Sequence, residues 1–194
     1  MKTTLAAIGV LTALAAAVGQ GGKQQIGPVV AEGFSEFTLT KNEAILTGPR
    51  VYVRTTDGRF EAKAQKIVIR FGPGGPRAGV GALQGASLSG EVWLRSEPEP
   101  GRWTAASAQR ADVDWAESRQ AVLTGSVHVE SRDPSMFSNT ATVDADKAIV
   151  SLKSDKELRP GETRIRIESE PSRSRLKFTP LPPMKSGEQG ESAH

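Results

Sequence analysis

The chain has 194 residues, with 25 Lys and Arg against 22 Asp and Glu, and it contains no cysteine. This composition excludes a disulfide framework and a lipoprotein acylated on cysteine. A formal charge of +3 also argues against a nucleic-acid-binding protein, because such proteins carry a clustered basic face. Hydrophobic residues form 37% of the sequence, so we expect one domain stabilised by an ordinary packed core.

The N-terminus has the pattern of a secretory signal peptide. Lys2 precedes an uncharged run over residues 5–18, and small residues then lead into Gln20. Such a run is short for a membrane-spanning helix, which needs about 20 residues. We predict a signal peptide at residues 1–19, cleaved after Ala17 or Gly19, and export to a bacterial periplasm. An uncleaved N-terminal anchor is the alternative.

A two-part phrase returns three times in order along the chain. Its first part is Ala-Ile-Leu-Thr-Gly at 44–48, Ala-Ser-Leu-Ser-Gly at 86–90 and Ala-Val-Leu-Thr-Gly at 121–125. Its second part is Ala-Gln-Lys-Ile at 64–67, Ala-Gln-Arg-Ala at 108–111 and Ala-Asp-Lys-Ala at 145–148. Tandem copies of one supersecondary unit stack and bury a continuous core. The repeat therefore predicts an extended surface or trough rather than a single catalytic pocket.

Apolar residues alternate with polar ones along these runs. In the third copy, Leu123, Val127 and Val129 alternate with Thr124 and His128, which is typical of a half-buried strand. Turn-forming residues separate the two parts of every unit, so each unit is predicted to be an antiparallel hairpin. The sequence indicates an all-β protein of roughly eight to ten strands.

The apolar parity shifts at a recurring place within these runs. Leu46 and Val51 have opposite parities, and Pro49 between them cannot donate to a strand ladder. The same slip separates Ala64 from Ile67 in the second part of the phrase. We predict β-bulges at these positions, where the strands turn a corner between two sheets.

The segments that flank the repeats are predicted to complete the domain. A lead-in strand at 34–39 has the single charge of Glu36, so its edge is suited to accept a partner strand. Residues 163–167 and 175–178 are predicted to form a closing hairpin. We place one domain at residues 20–180 and a disordered tail at 181–194, which has little apolar surface to bury.

The alternation also defines one apolar inner face. With small residues among its members, this face either lines a groove for a ligand or packs together as the core of a sandwich. The predicted inner-face residues are Leu46, Val51, Val53, Phe60, Ala62, Ile67, Ile69, Leu88, Val92, Leu94, Val113, Leu123, Val127, Val129, Val143, Ala148 and Val150.

The sequence gives little support for catalysis, metal binding or carbohydrate binding. His128 occupies the repeat position of Tyr52 and Trp93, so we predict an outward strand residue rather than a catalytic histidine. Paired carboxylates such as Asp144 and Asp146 lack the glycine-rich loop of a calcium site. We predict no catalytic residue, no metal and no cofactor. The aromatic residues leave a secreted carbohydrate-binding sandwich as one alternative function.

The phrases x-Leu-Thr-Gly-x-Val-x-Val and Ala-Asp-Lys-Ala, alternating over residues 34–152, resemble those of the OstA-like/LptA family of periplasmic lipopolysaccharide-transport proteins. The resemblance implies a V-shaped β-jelly roll whose inner face is a lipid-binding groove for lipopolysaccharide or a related glycolipid. It also implies inner- and outer-membrane partner proteins of the Lpt type, joined through edge strands, and a head-to-tail homo-oligomer. The long connection at 72–85 and the insertion at 97–102 depart from the family pattern.

A self-associating structural β-protein of the cell envelope, which binds no lipid, is the second alternative. It shares the repeated strands and differs only in what fills the trough.

Overall fold

A computed structural model of the protein describes residues 22–135, 138–169, 175–177 and 179. The predicted signal peptide at 1–19 and the predicted tail at 181–194 lie outside these residues. Within the described ranges, no helix has the length and apolar character needed to cross a membrane.

The described residues form one antiparallel sheet of eleven strands, which confirms the all-β prediction. The strands follow the order β1-β2-β4-β5-β6-β7-β8-β9-β10, while β3 pairs with β4 and β11 pairs with β9. Their bounds are β1 Gln24–Ile26, β2 Val29–Glu32, β3 Glu36–Leu39, β4 Glu43–Thr55, β5 Phe60–Phe71, β6 Leu83–Glu99, β7 Arg102–Asp114, β8 Gln120–Arg132, β9 Ala141–Ser151, β10 Ile165–Glu168 and β11 Arg175–Lys177.

The three repeat units are the hairpins β4–β5, β6–β7 and β8–β9, as the sequence predicts. The connection between β5 and β6 contains two short 3-10 turns, Gly75–Ala78 and Val80–Ala82. The insertion at 97–102 lengthens the β6–β7 hairpin, because Glu99 still pairs with Arg102. Strands β1 and β2 were not predicted, because two short runs in a Gln- and Gly-rich stretch carry too few alternations to be recognised.

The predicted closing hairpin is wrong. Strands β10 and β11 do not pair with each other; both run antiparallel to β9, where β10 covers Lys147–Val150 and β11 covers Thr142–Asp144. The bend in β9 explains this arrangement, because one straight strand cannot follow both halves of a bent neighbour. At the opposite edge, β3 and β2 divide β4 in the same way.

A row of β-bulges crosses the sheet at the predicted positions, but the strands bend there within one sheet and do not pass between two. Each of the five pairings between β4 and β9 has a register shift at this level, including the one between Thr47 and Val51. In β8, Gly125 and Ser126 both have positive φ angles, 83° and 50°. Gln109 of the preceding unit packs over Gly125, where a Cβ atom would lie 2.7 Å from the Gln109 Oε1 atom. Gly125, which ends the first part of the third copy, therefore leaves space for Gln109 in the second part of the second copy.

Replacing Gly125 with alanine is expected to destabilise the protein by about 1–2 kcal/mol, because an L side chain is strained in the left-handed region and meets Gln109. Ser126→Gly in the same bulge is the control, and we expect a change within about 0.5 kcal/mol, because relief of strain offsets the greater freedom of the unfolded chain. Urea unfolding measures both. Equal losses for the two variants would contradict the role assigned to Gly125.

The bulges fold the sheet onto itself. A straight strand of 13 residues, the length of β7, would span ~43 Å. Phe60 pairs with Ser96, which in turn pairs with Thr104 near the beginning of β7. Trp115 directly follows the other end of β7. The rings of Phe60 and Trp115 nevertheless meet edge to face, with centroids 5.1 Å apart. The strands are therefore bent into a V, and these two rings close part of its opening.

We name the two halves of this V by their connections. The hairpin arm holds the three turns within the repeat units, and the loop arm holds the connections at 72–82 and 115–119. The mouth is the opening of the V, between the turns of the hairpin arm and the connections of the loop arm.

Candidate functional site

The structure brings the predicted inner-face residues together between the two arms. Sixteen of the seventeen are at most 5% exposed and belong to one core cluster, and Val143 packs against that cluster while partly exposed. This burial follows from the alternation in the sequence together with the bulges, which keep the apolar side chains inward on both arms.

One inward row shows how the interior changes across the sheet. It runs along the hydrogen-bonding direction through Leu94, Ala106, Val129, Val143 and Leu176, on strands β6 to β9 and β11. Leu94 is fully buried, and Leu176 at the end of the row is 62% exposed. The trough is therefore closed in its centre and open toward the C-terminal edge.

The central part of the interior is filled by its own side chains. Beside Ile67, Leu88 and Phe60, the remaining space between the arms is about 10 Å³, which is too little for an acyl chain. Leucine and isoleucine from adjacent strands, with alanine between them, occupy this region. Most of the predicted inner face thus contributes to the packed core.

An open, largely apolar cavity of about 620 Å³ lies between the arms at the C-terminal edge. Val129 and Val143 line it, and both were predicted on the inner face. Its other apolar walls are not among the predicted inner-face residues and come from Ala141, Leu158, Ile165, Ile167 and Leu176. The alternation of Ile165 and Ile167 with arginine was a usable signal, but it was assigned only to a closing strand.

Charged side chains connect the two arms at the rim of this cavity. Asp155, which follows β9, contacts both Arg102 at the start of β7 and Arg164 just before β10. Its backbone N–H donates to the Glu99 carboxylate at 3.2 Å. The Arg102 Nε atom also lies 3.5 Å from the Asp133 carboxylate.

The surroundings of Asp133 and Arg164 shift the pKa values of both groups. Burial alone would raise the pKa of Asp133, but hydrogen bonds from Ser135 and the positive charges of Arg102 and Arg164 outweigh it, so the pKa lies below its ordinary value. Burial lowers the pKa of Arg164, which remains a cation. Asp133 and Arg164 therefore carry opposite charges at neutral pH.

The outer face carries a different set of residues. Tyr52, Lys63, Trp93 and His128 lie on one row across the strands, which places His128 outward as predicted. The Lys63 ammonium lies 4.9 Å from the Trp93 ring centroid and 5.7 Å from that of Tyr52. These contacts are cation–π interactions, and they cover part of the aromatic surface.

His128, Asp144 and Asp114 have local structural partners. A hydrogen bond of 2.6 Å between His128 Nδ1 and Asp144 raises the pKa of the histidine. Asp114 accepts backbone N–H groups from the turn that follows β7, and these hydrogen bonds, chiefly that from Ser118, lower its pKa to about 2. This turn positions Trp115 at the mouth.

No protein-family model matches this sequence, and no curated protein matches it. The fold is similar to that of LptH from Pseudomonas aeruginosa, described as the LptA-homologous periplasmic component of the lipopolysaccharide transport device. The similarity has a TM-score of 0.55 at 13% identity and covers 80% of this chain and 96% of LptH. The chain therefore has an LptA-like β-jelly-roll fold, as the resemblance of its repeated phrases predicts.

Proposed function

We propose that this chain is a periplasmic lipid-binding transport protein. It carries lipopolysaccharide or a related glycolipid on its apolar inner face and has no catalytic role. The observation that carries the proposal is the open cavity of about 620 Å³, which continues the buried inner rows at the C-terminal edge. Its volume falls within the range of protein sites for small ligands.

The apolar walls of this cavity suit acyl chains. Val143, Ile165 and Ile167 are only partly buried, so they retain surface that a lipid can cover. Burying about ten methylenes would contribute ~8 kcal/mol before the cost of ordering the chain is subtracted. The net affinity is therefore moderate, which suits a carrier that must also release its lipid. The site extends inward only as far as the packed centre of the trough allows.

The two sheet edges support transfer between proteins. On one edge, β3 presents the partly buried Phe37 and the 41% exposed Leu39. On the other, β10 and β11 leave Ile167 and Leu176 beside the cavity. Pairing through these edges would continue the inner rows from one protein to the next. We propose that they join inner- and outer-membrane Lpt-type partners, or further copies head to tail, in a bridge between the membranes.

The filled centre of the trough favours one competing function. A self-associating structural β-protein needs edges for pairing but no space for lipid, and the space of about 10 Å³ beside Ile67 fits that description. A carbohydrate-binding function has less support, because Lys63 already lies over the partly buried rings of Tyr52 and Trp93.

Site-specific photo-crosslinking tests the proposal. A photoreactive residue at Ile167, in cells that synthesise lipopolysaccharide, is expected to form lipid adducts, because Ile167 lines the open cavity. The same residue at Val122, on the outer face of β8 opposite Asp112, is the control and should form none. Protein adducts without lipid at Ile167 would contradict lipid transport and favour self-association.

A further inference from the structure

The segment after β9 lies across the mouth of the V. Residues 152–164 join the end of β9 to β10, and we call them the lid segment. Hydrogen bonds give the segment a defined shape: Ser154 N–H donates to Glu157 at 2.9 Å, and Lys153 pairs with Glu162 at 3.0 Å. Leu158 on this segment contributes to the apolar cavity.

Asp155 is the residue through which the lid segment reaches the opposite arm. Its carboxylate lies between Arg164, at the end of the lid segment, and Arg102, on the hairpin arm. Its N–H contacts Glu99, also on the hairpin arm. The other acids of the segment pair nearby, Glu162 with Lys153 and Glu157 with Arg119 on the loop arm.

Two guanidinium groups that converge on one carboxylate define an anion site. Arginine favours this role because its planar group binds carboxylate and phosphate through similar pairs of hydrogen bonds. With Glu99 and Asp133, the cluster carries a net charge of −1 while Asp155 is present and no net charge once Asp155 has moved away. A phosphate group that replaced Asp155 would restore the negative charge between the two arginines.

The position of the arginine pair indicates what kind of anion it takes. Arg164 lines the apolar cavity together with Ile165 and Ile167. A molecule with a phosphate at Arg102 and Arg164 would therefore place attached acyl chains directly into the cavity. A free anion would make no use of these apolar walls.

We infer that Asp155 latches the lid segment over the cavity and occupies a site for the phosphate of an anionic lipid, which displaces it on binding. This inference rests on the proposed lipid-carrier function and adds both a head-group site and a gate. The lipid gains two guanidinium partners only after the latch opens. The latch thus favours phosphorylated amphiphiles over neutral ones with the same chains.

Asp155→Asn removes the charge of the latch and keeps its size. We expect amide hydrogen exchange in the lid segment to increase by about tenfold, because the contact across the mouth is weakened. Glu162→Gln removes an equal charge from the same segment but has Lys153 as its ion-pair partner, so it serves as the control. Exchange in Asp155→Asn no faster than in Glu162→Gln would overturn the latch.

Two soluble probes test the head-group site, dioctanoyl phosphatidic acid and dioctanoylglycerol, which differ only in the phosphate. Asp155→Asn is expected to bind the phosphatidic acid about tenfold more tightly than the wild type and to change much less toward the glycerol. Arg164→Gln should also loosen the lid segment but lose the preference for phosphate, and Arg102→Gln provides the same test should Arg164→Gln not fold. Equal gains for both probes would overturn the anion site.

Two further outcomes separate this inference from the function on which it rests. If neither probe binds any variant although Asp155→Asn loosens the lid segment, the lipid-carrier proposal fails while the latch stands. If inorganic phosphate alone loosens the segment as much as phosphatidic acid does, the site belongs to free phosphate, and its assignment to an amphiphile is overturned.

Discussion

Replacing Val143 with tryptophan is expected to weaken the binding of an acyl-chain probe by at least about tenfold. Val143 lies between Val129 and Leu176 on the inner row and lines the open cavity. An indole at this position would occupy the space that the chain needs. Because the cavity is open, the larger side chain need not overpack the core, and we expect stability to change by less than about 1 kcal/mol.

Val122→Trp is the matched control for this experiment. Val122 is also a partly buried valine in a long strand, but it faces outward opposite Asp112 and Ile149. The probe should bind this variant as it binds the wild type. Fluorescence titration with a labelled fatty acid measures the affinity, and thermal unfolding reports the fold. Unchanged binding by a folded Val143→Trp protein would exclude the cavity as the lipid site.

Leu94→Ala is expected to lower the free energy of unfolding by about 3–5 kcal/mol, a large part of the stability of a domain this size. Leu94 is fully buried on a central strand, between Ala62 and Ala106. Its removal would leave a void that its small neighbours cannot fill. Urea unfolding, with the denaturant slope compared between variants, gives this value.

Leu176→Ala makes the same chemical change on the same inward row. Leu176 is 62% exposed at the edge of the sheet, so we expect a loss of no more than about 0.5 kcal/mol. The difference between the two losses of unfolding free energy measures how far packing decreases along the row, from the core to the open cavity. Similar losses at the two leucines would show that packing does not decrease along the row. The boundary of the cavity would then lie elsewhere.

Much of the fold follows from local pattern. The alternation around Leu123, Val127 and Val129 predicts a half-buried strand, because side chains on a strand point to opposite faces in turn. The parity change between Leu46 and Val51 predicts a bulge, since only an extra residue returns the apolar side chains to the same face. Both rules depend on a few consecutive residues, so they hold without knowledge of the partner strands.

The closing segments show where local pattern is insufficient. Residues 163–167 and 175–177 have strand character, but nothing in their sequences specifies a partner. Both pair with β9 because the bend of β9 leaves each half of its edge free. That bend is produced by the bulge row across the whole sheet, so the pairing depends on the assembled structure.

The three hairpins, the inward face and the positions of the bulges follow from the sequence alone, because strand periodicity and its parity shifts act over a few residues. Which inner-face residues are packed and which line a cavity depends on the distance between the arms, and that distance is a property of the assembled fold. The assembled fold also brings Arg102, Asp155 and Arg164 together across the mouth. Arg102 is distant in sequence from Asp155 and Arg164, and it meets them only after the sheet has folded onto itself.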